Sequence, residues 1–211
     1  MIYNYDGTFD GLMTVIFEKY KDIGKCEISK ENDQVNFLES EFVETNLVEA
    51  QRVITSIRDN IGDEFFSDTY KVFKSNNAKK EEVIAVTVKS SLIYGRIYLG
   101  SSKKAAVEFR KIVKNYNHEL HAYMGLVRFR EIQENYLLAE LEPINDILEH
   151  LTPHFLSRMH GVDSRDEEIF KDAWVGFYNA IGINERKNHK LMVSNMPKKY
   201  WKYLPEKNDF S

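Results

Sequence analysis

The sequence predicts an α+β fold, a single domain in which a small, largely antiparallel sheet is covered by several helices. Extended segments occur at the start of the chain and again near residues 126–142, and helical patterns fill most of the chain between them. No regular alternation of strand and helix, which would indicate a parallel sheet, is visible. With 211 residues, 43% of them hydrophobic, the chain is long enough to bury a substantial core.

The first predicted elements are a strand over residues 1–5 and a helix after the turn at Asp6-Gly7-Thr8. Thr8 is the expected N-cap, and the apolar stripe of the helix is Phe9, Leu12, Met13, Ile16, Phe17 and Tyr20. Extended segments at residues 26–28 and 35–42 are expected to pair with each other or with the first strand. The turn can present backbone N–H groups to an anion, but a plain strand-to-helix turn is the simpler interpretation.

The middle of the chain is predicted to be helical. One helix starts at Leu47 and stops at Gly62, and aromatic residues between 65 and 73 indicate another. Residues 81–99 are ambiguous, because their valines and isoleucines favour a strand whereas the length of the run favours a helix, which is our prediction. Further helices are predicted at residues 104–116, 118–126 and 167–181.

A charged β-hairpin is predicted at residues 127–141. Apolar residues alternate with Arg128, Arg130, Glu140 and Glu142, which gives the hairpin one apolar face and one charged face. An antiparallel register places Arg128 opposite Glu140, and a two-residue slip places it opposite Glu142. Such cross-strand pairs contribute roughly 0.2–1 kcal/mol each, so they favour a register without requiring a function.

The segment after the hairpin contains two prolines. Pro143 ends the strand, and apolar residues then recur at helical spacing as far as Met159. Because Pro153 would cost a hydrogen bond inside a helix, we predict a break there, with Thr152 as the N-cap of a second short helix. His154 would then lie near a helix N-terminus, which favours the neutral imidazole; a half-buried packing histidine is the alternative.

Few residues suit catalysis. Glu119, His121 and His154 are the candidates for acid–base chemistry, provided that the helices containing them face each other. His118 and His121 have a spacing that can bind a metal, but a third local ligand is missing, so no metal site and no cofactor are predicted. The single Cys26 excludes an intramolecular disulfide. A Rossmann or P-loop fold is excluded by the lack of a glycine-rich phosphate loop.

Positive charge is concentrated near the C-terminus, although the formal net charge of the chain is −4. Lysines and arginines in residues 184–206 are interleaved with aromatic residues, a mixture that suits phosphate contact and base stacking. The alternative is that the aromatic residues pack on the domain while the lysines are solvated. We divide the chain into a domain at 1–182 and a C-terminal segment at 183–211. The predicted nucleic-acid-binding residues of this segment are Arg186, Lys198, Lys199 and Trp201.

Several motifs resemble the bacterial DUF4130 family, and together they span nearly the whole chain. They are Tyr5 to Gly11, Glu119-x-His121, Val127-Arg128-Phe129, Tyr136 to Pro143, Leu151 to Phe155 with Arg158, Ile183 to Arg186 with Asn188, Met196-Pro197, and Tyr200 to Leu204. The resemblance implies a role in DNA metabolism or DNA repair, association with a radical S-adenosylmethionine (SAM) protein and, in some members, fusion to a uracil-DNA glycosylase. Two departures are Ala122, where the family has a basic residue, and the short connection at residues 159–168.

Three functional hypotheses follow. The first is a noncatalytic DNA- or RNA-associated module that acts with the radical SAM partner. The second is an enzyme that acts on a nucleotide or nucleic acid, with a pocket formed by Glu119, His121, Arg128, His154 and Arg158. The third is a protein-interaction subunit without nucleic-acid contact. No secretory signal or membrane span is visible, so a cytoplasmic location is expected, and the oligomeric state is left open.

Overall fold

The structure, a computed structural model, describes residues 1–30, 40–133 and 136–159. They form two compact units. The first comprises Met1–Glu119 and Ile144–Asp146, and the second comprises Leu120–Pro143 and the described residues from Ile147 to Met159. The predicted helix at 167–181 and the C-terminal segment, with Arg186, Lys198, Lys199 and Trp201, lie outside the described residues.

The helices and strands follow the predicted order closely. They are β1 (Ile2–Tyr5), α1 (Phe9–Glu18), β2 (Glu27–Lys30), β3 (Ser40–Phe42), α2 (Leu47–Asn60), α3 (Asp63–Lys74), α4 (Lys80–Tyr94), a 3₁₀ helix (Arg96–Gly100), α5 (Lys104–Leu126), β4 (Arg130–Gln133), β5 (Tyr136–Leu138) and α6 (Leu148–Met159). The ambiguous run after residue 80 is therefore a helix, as predicted. The two helices predicted between residues 104 and 126 are one continuous helix.

The three-stranded sheet is parallel, so the prediction of a largely antiparallel sheet was wrong. β1 lies in the centre and pairs in parallel with both β2 and β3. For β1 and β2 the reason is α1, because a helix between two strands returns the chain to the starting edge, and the next strand then runs in the same direction. The broad α+β class is retained, since helices predominate and β4 and β5 form a separate antiparallel hairpin.

The turn from β1 into α1 is held by a carboxylate. Thr8 caps α1 as predicted, with its hydroxyl accepting a hydrogen bond from the Gly11 amide at 2.9 Å. Asp6 accepts hydrogen bonds from the Thr8 amide and hydroxyl, and also from the Thr45 hydroxyl before α2. Burial alone would raise the pKa of Asp6, but these hydrogen bonds outweigh it and the pKa lies below its ordinary value. A side chain at Gly11 would overlap Asp6, so glycine is needed there.

The core of the first unit lies among β1, α1 and the helices that follow. Side chains without solvent exposure in this core include Tyr5, Leu12, Met13, Ile57, Ile84 and Val88. They come from β1, α1, α2 and α4; the apolar faces of α1 and α2 were predicted from helical spacing. Within the core the Tyr5 hydroxyl donates to the buried carboxylate of Glu81 at 3.2 Å. This bond joins the end of β1 to the start of α4.

The predicted hairpin is present in the second unit. β4 and β5 are antiparallel, with Arg130 paired with Leu138, and the register shifts between Glu131 and Gln133. Continuing the same register would place Arg128 opposite Glu140, the first of the two predicted alignments, but both residues lie beyond the ends of the strands.

The predicted break at Pro153 was wrong, because α6 continues through it from Leu148 to Met159. Thr152 is not an N-cap: it lies inside the helix, and its hydroxyl donates to the carbonyl of Leu148 at 2.8 Å. A proline in a helix interior removes one backbone hydrogen bond. Here that loss is offset by burial of Ile147 and Leu151. His154 therefore lies within a helix, and the argument from a helix N-terminus no longer applies to it.

No helix in residues 1–30, 40–133 and 136–159 combines the length and the apolar character needed to cross a membrane.

Candidate nucleic-acid interface

Helix α5 has one buried face and one basic face. Its buried residues in the first unit recur at helical spacing and are Ala106, Phe109, Ile112, Val113, Tyr116 and Glu119. Lys104, Lys111 and Lys114 fall on the opposite side and are exposed. We call these three lysines the α5 basic face.

The α5 basic face is strongly positive in a chain whose net charge is −4. Between residues 101 and 117 the sequence contains five lysines or arginines and one acidic residue, Glu108. Glu108 lies 3.9 Å from Lys111, a long and exposed contact that neutralises little. The side chains of Lys104 and Lys114 form no hydrogen bond or ion pair with any described residue.

The remaining arginine of this region has a structural role. Arg110 donates hydrogen bonds to the carbonyls of Leu99 and Ser101. Those carbonyls belong to the end of the 3₁₀ helix, where backbone acceptors otherwise lack partners. We therefore leave Arg110 out of the α5 basic face.

The dimensions of the α5 basic face suit a nucleic-acid backbone. At 1.5 Å per residue, Lys104 and Lys114 are about 15 Å apart along the helix axis. The major groove of B-DNA is about 12 Å wide, so one helix with this spacing can reach phosphates on both sides of a groove. Long, flexible lysines contact phosphates without reading bases. The arrangement therefore favours contact with a phosphate backbone over recognition of a sequence.

Glu119, predicted as a catalytic residue, is buried in the first unit and binds backbone. Its side chain accepts hydrogen bonds from the amides of Ile144 and Asn145 at 2.8 and 3.0 Å. The side-chain amide of Asn145 adds a third bond at 2.6 Å. Only 5% of Glu119 is exposed. These contacts account for its burial by anchoring residues 144–146; its catalytic role stays a prediction.

The other predicted site residues of the described chain lie in the second unit. His121 is exposed on α5, and His154 is half-buried in α6, where its ring meets Phe155 edge-on at 5.2 Å. The Arg128 guanidinium donates to the carbonyls of Gly125 and Val127 at the end of α5. Arg158 belongs to α6.

One aromatic contact within the second unit joins residues that neighbour two of these predicted residues in sequence. Phe129 and Phe155 meet edge-to-face, with ring centroids 4.9 Å apart. Each ring is next in sequence to a predicted site residue, Arg128 in one case and His154 in the other. The segment after α5 and helix α6 are therefore in contact, and the predicted pocket itself stays a prediction.

Metal binding has no support among the described residues, where no group of three or more His, Cys, Asp or Glu is placed to hold an ion.

The α5 basic face was not among the predicted sites, which emphasised the C-terminal segment. A usable signal was present, because lysines at positions 104, 111 and 114 share one face of a helix whose other face is apolar.

The chain was compared with known proteins. A family model described as a domain of unknown function, DUF4130, matches residues 78–206, which is more than half of the chain. No curated protein and no solved structure matches it. The matched range includes α5, the hairpin and α6, whereas the opening Tyr5 to Gly11 motif lies outside it. The chain therefore belongs to the DUF4130 family, which is defined by a domain of unknown function.

Proposed function

We propose that the protein is a nucleic-acid-associated module of DNA metabolism that acts beside a radical SAM partner. The α5 basic face carries the nucleic-acid part of this proposal. Its three exposed lysines are held at fixed spacing on a helix whose opposite face is buried. The helix backbone is already ordered, so only the lysine side chains lose conformational freedom when they meet a row of phosphates.

The net charge of −4 limits how the module binds. The net negative charge of the protein repels phosphates, so nucleic acid is attracted only where positive charge is concentrated. The α5 basic face therefore fixes how the nucleic acid is oriented on the protein, which a uniformly basic surface would not do. Contacts with phosphates release condensed counterions, and affinity then falls as salt rises. Binding should therefore be weak at high salt and measurable at low salt.

Fluorescence anisotropy titrations with labelled single- and double-stranded DNA test this part of the proposal. We expect saturable binding at low salt that weakens steadily as salt is added, because the contacts are with phosphates. The measurement needs the full chain, since the predicted binding residues Arg186, Lys198, Lys199 and Trp201 belong to the C-terminal segment. Absence of binding to either form of DNA at the lowest salt would overturn the proposal.

The proposal of a radical SAM partner is supported by the family resemblance. We expect a tagged version of the chain to co-purify with the radical SAM protein encoded in the same cells, in amounts that nuclease treatment does not reduce. Loss of the partner after nuclease treatment would show that nucleic acid alone bridges them. Recovery of no radical SAM protein under either condition would remove the partner from the proposal.

A further inference from the structure

A polar pocket of about 370 Å³ lies at one edge of the parallel sheet in the first unit. It is placed where β1 and β2 end, since its walls include Gly7, just after β1, and Lys30, the last residue of β2. Tyr5 and Lys30 are paired in the sheet, so the two strands end side by side. The carboxyl ends of parallel strands are where open sheets flanked by helices usually bind ligands.

Three lysines from separate parts of the chain line this pocket: Lys30, Lys74 and Lys80. Asp146 is the one acidic residue among the lining residues, and it pairs with Lys74 at 2.9 Å. Glu81 is close to Lys80, but it is buried and accepts the hydrogen bond from Tyr5. Lysine charge therefore exceeds acidic charge in the pocket.

Lys80 is held in place by backbone. Its ammonium donates to the carbonyls of Phe73 and Ser75 at 2.7 and 2.9 Å, at the end of α3. An ammonium has three N–H donors, so one remains after these two bonds. Burial is the largest effect on the pKa of Lys80 and lowers it, whereas the nearby charges act in both directions: Glu81 and Asp146 raise it, and Lys30 and Lys74 lower it. A bound anion would add to the carboxylates in offsetting the repulsion from Lys30 and Lys74.

The stem of Lys30 lies beside the turn between β1 and α1. Gly7 has a φ of +80°, a conformation that favours glycine, and a Cβ there would lie 3.4 Å from the Cδ of Lys30, an ordinary van der Waals contact. The side chain of Lys30 therefore lies along this turn. The side chain of Lys30 forms no hydrogen bond or ion pair with the residues that the structure describes.

Hydrogen bonds also hold residues 144–146, which form another wall of the pocket. The amide of Asp146 donates to the carbonyl of Lys74 at 3.0 Å, and the hydroxyl of Tyr116 donates to the carbonyl of Asp146 at 2.8 Å. The neighbouring residues Ile144 and Asn145 are anchored by Glu119. The lysines therefore surround a preformed space, a property of sites that bind small molecules.

We propose that this pocket binds a phosphate monoester, with Lys30 and Lys80 contacting the dianion. Its volume lies near the lower end of the roughly 300–1,000 Å³ typical of ligand pockets, which suits one nucleotide unit. Such a monoester is present both in a free nucleotide and at a 5′-phosphorylated strand end. The inference does not depend on the proposed function, because none of the pocket residues belongs to the α5 basic face.

Isothermal titration of the full chain with adenosine 5′-monophosphate and with adenosine tests the proposal. We expect the monophosphate to bind and adenosine to bind at least about tenfold more weakly, since the charged contacts are lost. Lys30→Gln should weaken monophosphate binding about tenfold, whereas the exposed control Lys25→Gln should leave it unchanged. Equal binding of both ligands, no binding of either, or equal effects of the two variants would overturn the proposal.

A measurement on the unaltered protein does not depend on the variants folding. Adding adenosine 5′-monophosphate should shift the backbone amide resonances of Gly7, Ser75 and Asn76, and shifts confined to other regions would contradict the proposed site. Oligonucleotides with and without a 5′-phosphate then distinguish the two sources of the monoester. Tighter binding of the phosphorylated strand than of the unphosphorylated strand identifies a strand end, and equal binding of the two strands, with the free nucleotide still bound, identifies a free nucleotide.

Discussion

Glu119→Ala is expected to lower the free energy of unfolding by about 3 kcal/mol, because two backbone amides and the Asn145 side chain lose a buried acceptor. The three hydrogen bonds are part-buried and go to a carboxylate, and each hydrogen bond of this kind contributes on the order of 1 kcal/mol or more. Urea unfolding measures the change. Hydrogen exchange at the amides of Ile144 and Asn145 locates it, since both amides should exchange faster in the variant.

Glu108→Ala provides the matched control on the same helix. Its carboxylate makes one long contact with Lys111 at 3.9 Å, so the change should stay within about 0.5 kcal/mol. Glu119→Gln keeps one acceptor oxygen and should fall between the two alanine variants. Equal unfolding free energies for Glu119→Ala and Glu108→Ala would contradict the anchoring role of Glu119.

Reversing the α5 basic face is expected to reduce DNA affinity about a hundredfold at low salt. The variant combines Lys104→Glu, Lys111→Glu and Lys114→Glu, which replaces three phosphate contacts with three repulsive charges. All three positions are exposed, so the fold should be retained. Anisotropy titrations measure the affinity, and circular dichroism confirms that the helices are intact.

The matched control reverses three exposed lysines elsewhere in the first unit, namely Lys21, Lys25 and Lys79. Both triple variants have the same net charge, so a difference in affinity reports the location of the charges. We expect the control to bind DNA within about threefold of the unaltered protein, with long-range repulsion as the cause of the small loss. Equal losses in the two variants would show that net charge, and not the α5 basic face, governs binding.

Local patterns predicted the helices well, because capping and apolar spacing are properties of neighbouring residues. Thr8 caps α1, Gly62 follows the end of α2, and α4 is a helix despite its valines and isoleucines. Strand direction was not predicted correctly, since a period of two is the same in parallel and antiparallel sheets. The helix predicted between the first two strands was the usable signal for a parallel pair.

Two helix breaks were predicted wrongly, one at Pro153 and one between the helices predicted at 104–116 and 118–126. Both errors have the same cause, because tertiary packing keeps the helix continuous at each position. Leu151 is buried two residues before Pro153, and Tyr116 is buried just before Asn117. Burial of such side chains contributes about 1.5–3 kcal/mol each, which is comparable with the cost of a proline in a helix.

The pocket could be predicted only in part. The Asp6-Gly7-Thr8 turn indicated a possible anion site, and the structure places Gly7 in the wall of a lysine-lined pocket. Lys30, Lys74 and Lys80 come from β2, α3 and α4, so their convergence depends on the tertiary fold and has no signature in their spacing. Glu119 was predicted as a catalytic residue, whereas its anchoring role had no local signature because its hydrogen-bond partners lie 25 and 26 residues away.

The salt dependence of DNA binding tests the nucleic-acid assignment most directly. Each phosphate contact contributes about 0.9 to the slope of the logarithm of affinity against the logarithm of salt concentration for duplex DNA. We expect reversal of Lys104, Lys111 and Lys114 to reduce the magnitude of that slope by about 2 to 3, and reversal of Lys21, Lys25 and Lys79 to leave it unchanged. The same slope in all three proteins would contradict binding through α5.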